Sequence, residues 1–227
     1  NGKTIVSAEI PGVDISERPV YYKGVGRLKG SYIRVGESDE LMSEYEIYSY
    51  EAFRKRTRDD IRVVDNGNFT MINEERMETY LKAVKNERKN LSDNLSKSEI
   101  LELMGVTNNG MPTLAGLMTF SIYPQTYFPQ LCIIAISLPG TEQGTIGIDG
   151  ERFLDNMRIT GAIPDMLEEA VEFVRKNSRT KTIIDDNGQR VDKPEYPIKA
   201  VREAALNALV HRDYGIHTEN IPIRIEM

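Results

Sequence analysis

Val201-Arg-Glu-Ala-Ala-Leu-Asn-Ala-Leu-Val-His-Arg-Asp-Tyr214 is the stretch on which the reading of this 227-residue chain turns. Alanine and leucine favour helix because they lose little rotamer freedom there. Pro197 stands just ahead, where a first helical position needs no amide donor, and Gly215 is the expected C-cap. At about 100° per residue, Ile198, Val201, Ala205 and Leu209 form one apolar stripe. Glu203, Asn207 and His211 lie four apart and share a second stripe. Ala200, Ala204 and Ala208 flank it and leave room for a ligand. A carboxylate one turn before a carboxamide can orient or deprotonate a water, while the amide oxygen completes a Mg²⁺ shell beside phosphates. The same residues can equally form a solvated helix face, because short polar patterns recur freely.

Glu203-Ala-Ala-Leu-Asn207-Ala208 resembles the N-box of the GHKL ATPases, the Bergerat-fold group that includes gyrases and histidine kinases. The longer run from Arg202 to Tyr214 resembles something narrower: the divergent ATPase module of bacterial RecG-related transcriptional regulators, which also carry a Schlafen AlbA-type domain. Its specific part is the eight-residue Asn207-Ala-Leu-Val-His-Arg-Asp-Tyr214. The resemblance implies ATP and Mg²⁺ as cofactors, with Glu203 as general base and Asn207 as the Mg²⁺ ligand of Mg-ATP. His211, Arg212 and Asp213 belong to the family signature without an assigned role.

Composition bounds the alternatives. Forty per cent hydrophobic and 28% charged residues describe a globular protein. A net charge of −6 excludes an indiscriminate coat for nucleic acid and leaves room for a local basic face. Cys132 is the single cysteine, so no internal disulfide forms; it lies in the apolar run Leu131–Ile136, which reads as core. No apolar run is long enough to span a membrane, and no signal-like segment opens the chain. A cytoplasmic location is expected. Asn1 and Met227 both sit in strand-like sequence, as expected of a fragment of a longer protein.

Residues 1–64 read as β-rich, with strands predicted at Lys3–Ile10, Pro19–Lys23 and Ser31–Gly36 and a glycine-rich hairpin over 24–30. A helix is expected over Ser43–Arg58. Arg18-Pro-Val-Tyr21 and Tyr32-Ile-Arg-Val-Gly36 resemble the C-terminal part of the Schlafen AlbA-type domain. That resemblance, with the basic cluster Arg54-Lys-Arg-Thr-Arg58, makes Arg34, Arg54, Lys55, Arg56 and Arg58 the candidate nucleic-acid contacts. Residues 1–62 nevertheless hold as many acidic as basic side chains, and a solvated helix end is the competing meaning of the cluster.

Residues 65–227 read as helical and β segments leading into the front of a GHKL-like α/β sandwich. Asn73 caps a helix to about Arg88, and Ser96-Lys-Ser-Glu99 is a capping box ahead of a short helix that Gly105 ends. A further short helix follows Pro112; it is too apolar to read a DNA groove, which demands polar edges and cations. Leu131–Leu138 is predicted to be a strand buried on both faces, and Pro139–Gly150 a loop. A helix begins at Pro164, a hairpin turns over 185–188, and Ile221–Met227 is a last strand.

The fold class expected is therefore α+β, or mixed α/β. The function expected is that of an ATP-responsive bacterial transcriptional regulator acting on DNA or another nucleic acid through the whole protein, as a possible homo-oligomer. The other reading is a non-catalytic interaction module with a vestigial N-box. On either, this chain alone is expected neither to bind ATP tightly nor to hydrolyse it, since the backbone amides and cations that grip phosphate belong to later loops.

Overall fold

The computed structural model describes residues 4, 6–69, 71–141, 143–184 and 188–227, with the side chains of 92, 93, 183 and 191 left aside. It is a mixed α+β chain of two compact units, residues 1–58 and 59–227. Among the described residues, no helix is long and apolar enough to cross a membrane.

The first unit is thinly packed. Gly26 (φ 78°) turns the chain into the four-residue helix α1, Arg27–Gly30. Strands β1, Tyr32–Val35, and β2, Ser38–Leu41, form an antiparallel hairpin around Gly36 (φ 59°). Helix α2, Glu44–Lys55, starts from a capping box in which the Ser43 hydroxyl accepts from the Glu46 amide and the Glu46 carboxylate accepts from the Ser43 amide. Met42 and Ile47 are the large apolar side chains buried among the described residues of this unit. The strand expected over 3–10 does not form across its described residues, 4 and 6–10. Val6 and Ile10 are exposed, and no described strand lies alongside to complete a ladder. The second expected strand is reduced to a bridge between Tyr21 and Ser31. The glycine-rich hairpin is instead a turn and α1, because Tyr22–Gly26 closes on itself through Val25 N to Tyr22 O.

The second unit is built in two layers of contact. Helices α3 (Glu74–Glu87), α4 (Lys89–Asn94) and α5 (Lys97–Leu103) precede a tight hairpin of β3 (Thr107–Asn108) and β4 (Met111–Pro112), then helix α6 (Leu114–Phe120). Met77, Leu81, Val84, Ile100, Val106 and Phe120 close one core. The Asn73 cap, the Ser96/Glu99 capping box and Gly105 at φ 71° stand where the sequence put them. Residue 116 must be glycine: a Cβ there would lie 2.2 Å from the Val106 carbonyl oxygen, so α6 sits directly on the chain entering β3. Leu114, Leu117, Met118 and Phe120 of α6 are all buried, which removes it as a groove reader.

Strands β5 (Ile133–Ser137), β6 (Asp155–Ile159) and β9 (Ile223–Glu226) form a sheet in the order β6-β5-β9, antiparallel then parallel. The parallel pair requires a long crossover, which holds helix α7 (Ile163–Asn177), the hairpin β7 (Thr180–Ile184) and β8 (Arg190–Pro194), and helix α8 (Ile198–His211). Alpha-7 buries Met166, Leu167, Ala170, Val171, Phe173 and Val174. With Leu209 of α8, Met166, Leu167, Ala170, Val171 and Phe173 pack on Ile133, Ala135 and Ile159; each such large side chain removed from water is worth roughly 1.5–3 kcal/mol. Beta-5 is not buried on both faces as expected: Ile133, Ala135 and Ser137 are buried, Ile134 and Ile136 only half so. Ile134 is flanked in register by Arg158 and Arg224, and Ile136 by Asn156 and Glu226. Apolar side chains here shelter beside polar neighbours whose stems cover them. Beta-2, β6 and α4 have no counterpart in the sequence reading. Beta-6 escaped it because Asp155-Asn-Met-Arg158 alternates weakly. Gln125 was also missed. Buried, it bonds the carbonyls of Leu131 (2.8 Å) and Gly161 (2.9 Å) and the Gly161 amide (2.8 Å).

Candidate functional site

Alpha-8 lies where the sequence put it, with Pro197 as N-cap. Leu209 is buried and Ile198, Val201 and Ala205 half-buried, so the apolar stripe faces the sheet and α7. Arg202 leaves this helix sideways and grips Glu168 of α7 through two nitrogens at 2.9 and 2.6 Å. The bond holds the Glu168 carboxyl below its usual range, while the burial of Leu209 sets the rotation of α8 against its neighbours.

With that rotation set, Glu203, Asn207 and His211 are exposed. Among the described residues none makes a side-chain hydrogen bond or ion pair. Ala204 and Ala208, a step further round the helix, line a cleft of about 350 Å³ with Val201, Ile223, Ile225 and Met227. Glu203 and Asn207 do not line it. A broader hollow of about 750 Å³ beside Arg88, Leu91 and Met104 carries none of the candidate residues.

The end of the signature behaves differently. Gly215 does not cap α8; the helix stops at Arg212, which is extended at φ −60°, ψ 154°. The Arg212 guanidinium turns back over the Tyr214 ring, 5.2 Å from its centre, and donates to the carbonyls of Thr218 (2.9 Å) and Ile221 (2.8 Å). Asp213 accepts from the Gly215 amide at 2.7 Å, and the Thr218 hydroxyl donates back to the Asp213 carbonyl at 2.7 Å. Tyr214 donates to the Leu209 carbonyl at 2.6 Å, satisfying one of the acceptors a helix end leaves orphaned. Burial pushes the Tyr214 hydroxyl up to about 12 and pushes Arg212 below its ordinary value. Arg62, stacked on Phe128, pairs with Glu219 and ties down the far side of the loop. Tyr214, Thr218, Glu219 and Arg62 therefore complete the structure around α8. The Asp-Tyr-Gly order, which favours a side-chain-capped turn, was the one sequence signal for them.

The Asn207 amide oxygen can contribute to a metal that brings its own phosphates and waters, with the Glu203 carboxylate one turn away to act on a water. No cluster of three or more His, Cys, Asp or Glu close enough for a metal occurs among the described residues. A carboxamide oxygen fits Mg²⁺, which takes hard oxygen ligands and keeps most of its water.

In the first unit, the candidate contacts separate. Arg34 is matched across the hairpin to Asp39 at 3.1 Å. Arg54 and Lys55 form the last turn of α2, where cations offset the helix dipole, and Arg56 caps it in the left-handed region at φ 52°. With Arg58 they are exposed.

Residues 50–134 match a family described as "Domain of unknown function (DUF8451)". No curated protein and no solved structure matches the chain. The family match runs from the second half of α2 through the α3–α6 core to the start of β5, and leaves α8 outside it.

Proposed function

We propose that this chain is part of an ATP-responsive, nucleic-acid-associated transcriptional regulator of the RecG-related kind that its α8 signature resembles. In this reading Asn207 supplies the amide oxygen to Mg-ATP, Glu203 orients or deprotonates the attacking water, and Arg54, Lys55, Arg56 and Arg58 meet nucleic-acid phosphates. One observation carries it. The helix that bears Glu203 and Asn207 is seated by Leu209 in the core and by the Arg212–Tyr214 loop, and these two side chains are exposed and make no side-chain bond among the described residues. A helix held in place with two oxygen-bearing side chains left open offers both to a ligand that brings its own phosphates and waters. When bound, Mg²⁺ would neutralise phosphate charge and polarise the γ-phosphoryl group.

A nuclear magnetic resonance titration of the chain with Mg-ATP tests this. Amide shifts should centre on residues 203–211, depend on Mg²⁺, and saturate only near about 1 mM, equivalent to roughly −4 kcal/mol. They should vanish in Asn207→Ala. An unperturbed α8 at about ten times that concentration, or a micromolar site elsewhere, would overturn the assignment.

The cleft itself favours a second reading, an interaction module. Its lining is apolar apart from Tyr196 and, on the strand, Arg224 and Glu226, and Glu203 and Asn207 stand outside it.

A further inference from the structure

We infer that the hollow at the elbow between α3 and α4 is a binding site for a small apolar molecule carrying one anionic group, a carboxylate or a sulfonate. The hollow measures about 750 Å³, within the range of small-molecule sites. Helix α3 ends at Glu87, and Arg88, at φ −127° and ψ 71°, is both its C-cap and the N-cap of α4. The chain bends there, with Asn86 and Glu87 lining the hollow before the bend and Lys89, Asn90 and Leu91 after it. The end of α5 closes the other side. A capping box at Ser96 starts that helix and Gly105, at φ 71°, follows its end, which brings Leu103 and Met104 to the hollow. All of these elements lie inside residues 50–134, the part of the chain that matches the family, and none belongs to α8.

The floor of the hollow is apolar. Leu91 and Met104 are partly buried against the α3–α5 core. Leu103 is 58% exposed, although Ile100, one turn earlier in α5, is wholly buried. A single exposed leucine needs no explanation. One that lines a concavity together with Leu91 and Met104 forms a continuous surface, which sheds its water when the apolar body of a ligand enters.

The rim supplies donors that the fold has not used. Among the described residues Asn86 and Asn90 make no side-chain bond, and the Arg88 guanidinium bonds to nothing but the Met104 sulfur, at 4.0 Å. Asn94, further along α4, shows the contrast: it spends its amide on the Asn90 carbonyl at 2.9 Å. A guanidinium flanked by two carboxamides holds a carboxylate or sulfonate through charge-assisted hydrogen bonds. Arg88 and Lys89 meet one acid on this rim, Glu87, so a single net positive charge remains. That balance accepts one anionic group and opposes a polyanion such as a nucleotide, whose further charges would meet Glu87. The site is therefore separate in residues and in chemistry from the Mg-ATP face of α8, and it stands if that reading falls.

Fluorescence titration of the 227-residue chain with anilinonaphthalene sulfonate, an aromatic body bearing one sulfonate, tests it. Expected is one saturable site with a Kd of about 10–100 µM. Leu103→Asp and Arg88→Glu should each weaken it at least roughly tenfold. Both side chains are exposed, so circular dichroism should stay unchanged. Ile148→Asp, at a fully exposed apolar side chain in the loop between β5 and β6, should leave binding as it is. Decanoate should displace the probe, and decanol, equally long but uncharged, should do so at least roughly tenfold less well. In the parent chain, amide shifts on binding should centre on residues 86–91 and 103–104, which decides the matter if a variant misfolds. Shifts centred elsewhere, no saturable site below about 1 mM, binding indifferent to both Leu103→Asp and Arg88→Glu, or displacement by decanol as readily as by decanoate overturns the inference.

Discussion

The signature run of α8 divides into two parts that the structure treats in opposite ways. From Glu203 to His211 its polar side chains are exposed and make no side-chain bond among the described residues; from Arg212 to Tyr214 every side chain is tied to the loop or to the helix end. Similar polarity thus serves two ends. One part supports and the other is supported, and a residue pattern read as a unit carries both tasks. The difference is measurable, because a side chain with internal partners costs stability when removed and one without them does not.

The largest effect should come from Arg212→Ala. It deletes two bonds to the carbonyls of Thr218 and Ile221 and the stacking over Tyr214. Charged hydrogen bonds contribute about 1.5–3 kcal/mol and a stranded partner adds its desolvation cost, so urea denaturation should show a loss of roughly 2–4 kcal/mol. The loop leads directly into β9, so proteolysis should also open between residues 212 and 222. If Arg212→Ala costs no more than Asn207→Ala, the division of the signature is wrong.

Tyr214→Phe should cost less, about 1 kcal/mol for one hydrogen bond, with a distinctive pH dependence. The hydroxyl's ordinary value is 10.0 and burial lifts it to about 12 in the folded chain. Above pH 10 the unfolded chain releases this proton first, so stability that is fully present below pH 10 is lost as the pH rises towards 12. Tyr80 is also raised by burial and adds a slope of the same sign. The readout is therefore the difference between the two proteins: the gap seen at pH 8 should narrow through the window from 10 to 12. A gap that is constant across it would mean the hydroxyl is not buried.

This division also marks what the sequence could convey. Helices with strong local signals were legible: Asn73 and Ser96 cap α3 and α5, and the Ala-Leu body of α8 defines its start and its faces, while its end falls at His211 and not at the Gly215 cap expected. What was not legible depended on partners distant in the chain. Beta-6 becomes a strand because β5 offers an edge to Asp155–Ile159. Val6 and Ile10 stay out of strand because no described segment offers them one. The half-exposure of Ile134 and Ile136 is decided by Arg158, Arg224 and Glu226 on neighbouring strands. At the candidate site, spacing alone placed Glu203 and Asn207 on one exposed face. It could not show that Arg212 folds back onto Thr218 and Ile221, since those contacts run forward into a loop with no periodicity.

The smallest effect, and the one that most sharpens the comparison, concerns Glu203→Ala and Asn207→Ala. Both side chains are exposed without a described partner, so neither leaves a stranded donor or acceptor behind. Alanine is the better helix former, by up to about 0.7 kcal/mol over ordinary residues. The change should therefore lie between zero and a slight gain, within about 0.5 kcal/mol of the parent chain. Were the face merely solvated, nothing else would follow. If it is the ligand face proposed above, Asn207→Ala removes the Mg²⁺-dependent shifts on α8 while leaving the denaturation midpoint in place. Glu203→Ala should keep most of those shifts, because the carboxylate acts on water rather than on the metal. A measurable loss of stability in either variant would show that the face has internal partners after all, and would return the whole run from Glu203 to Tyr214 to a structural role.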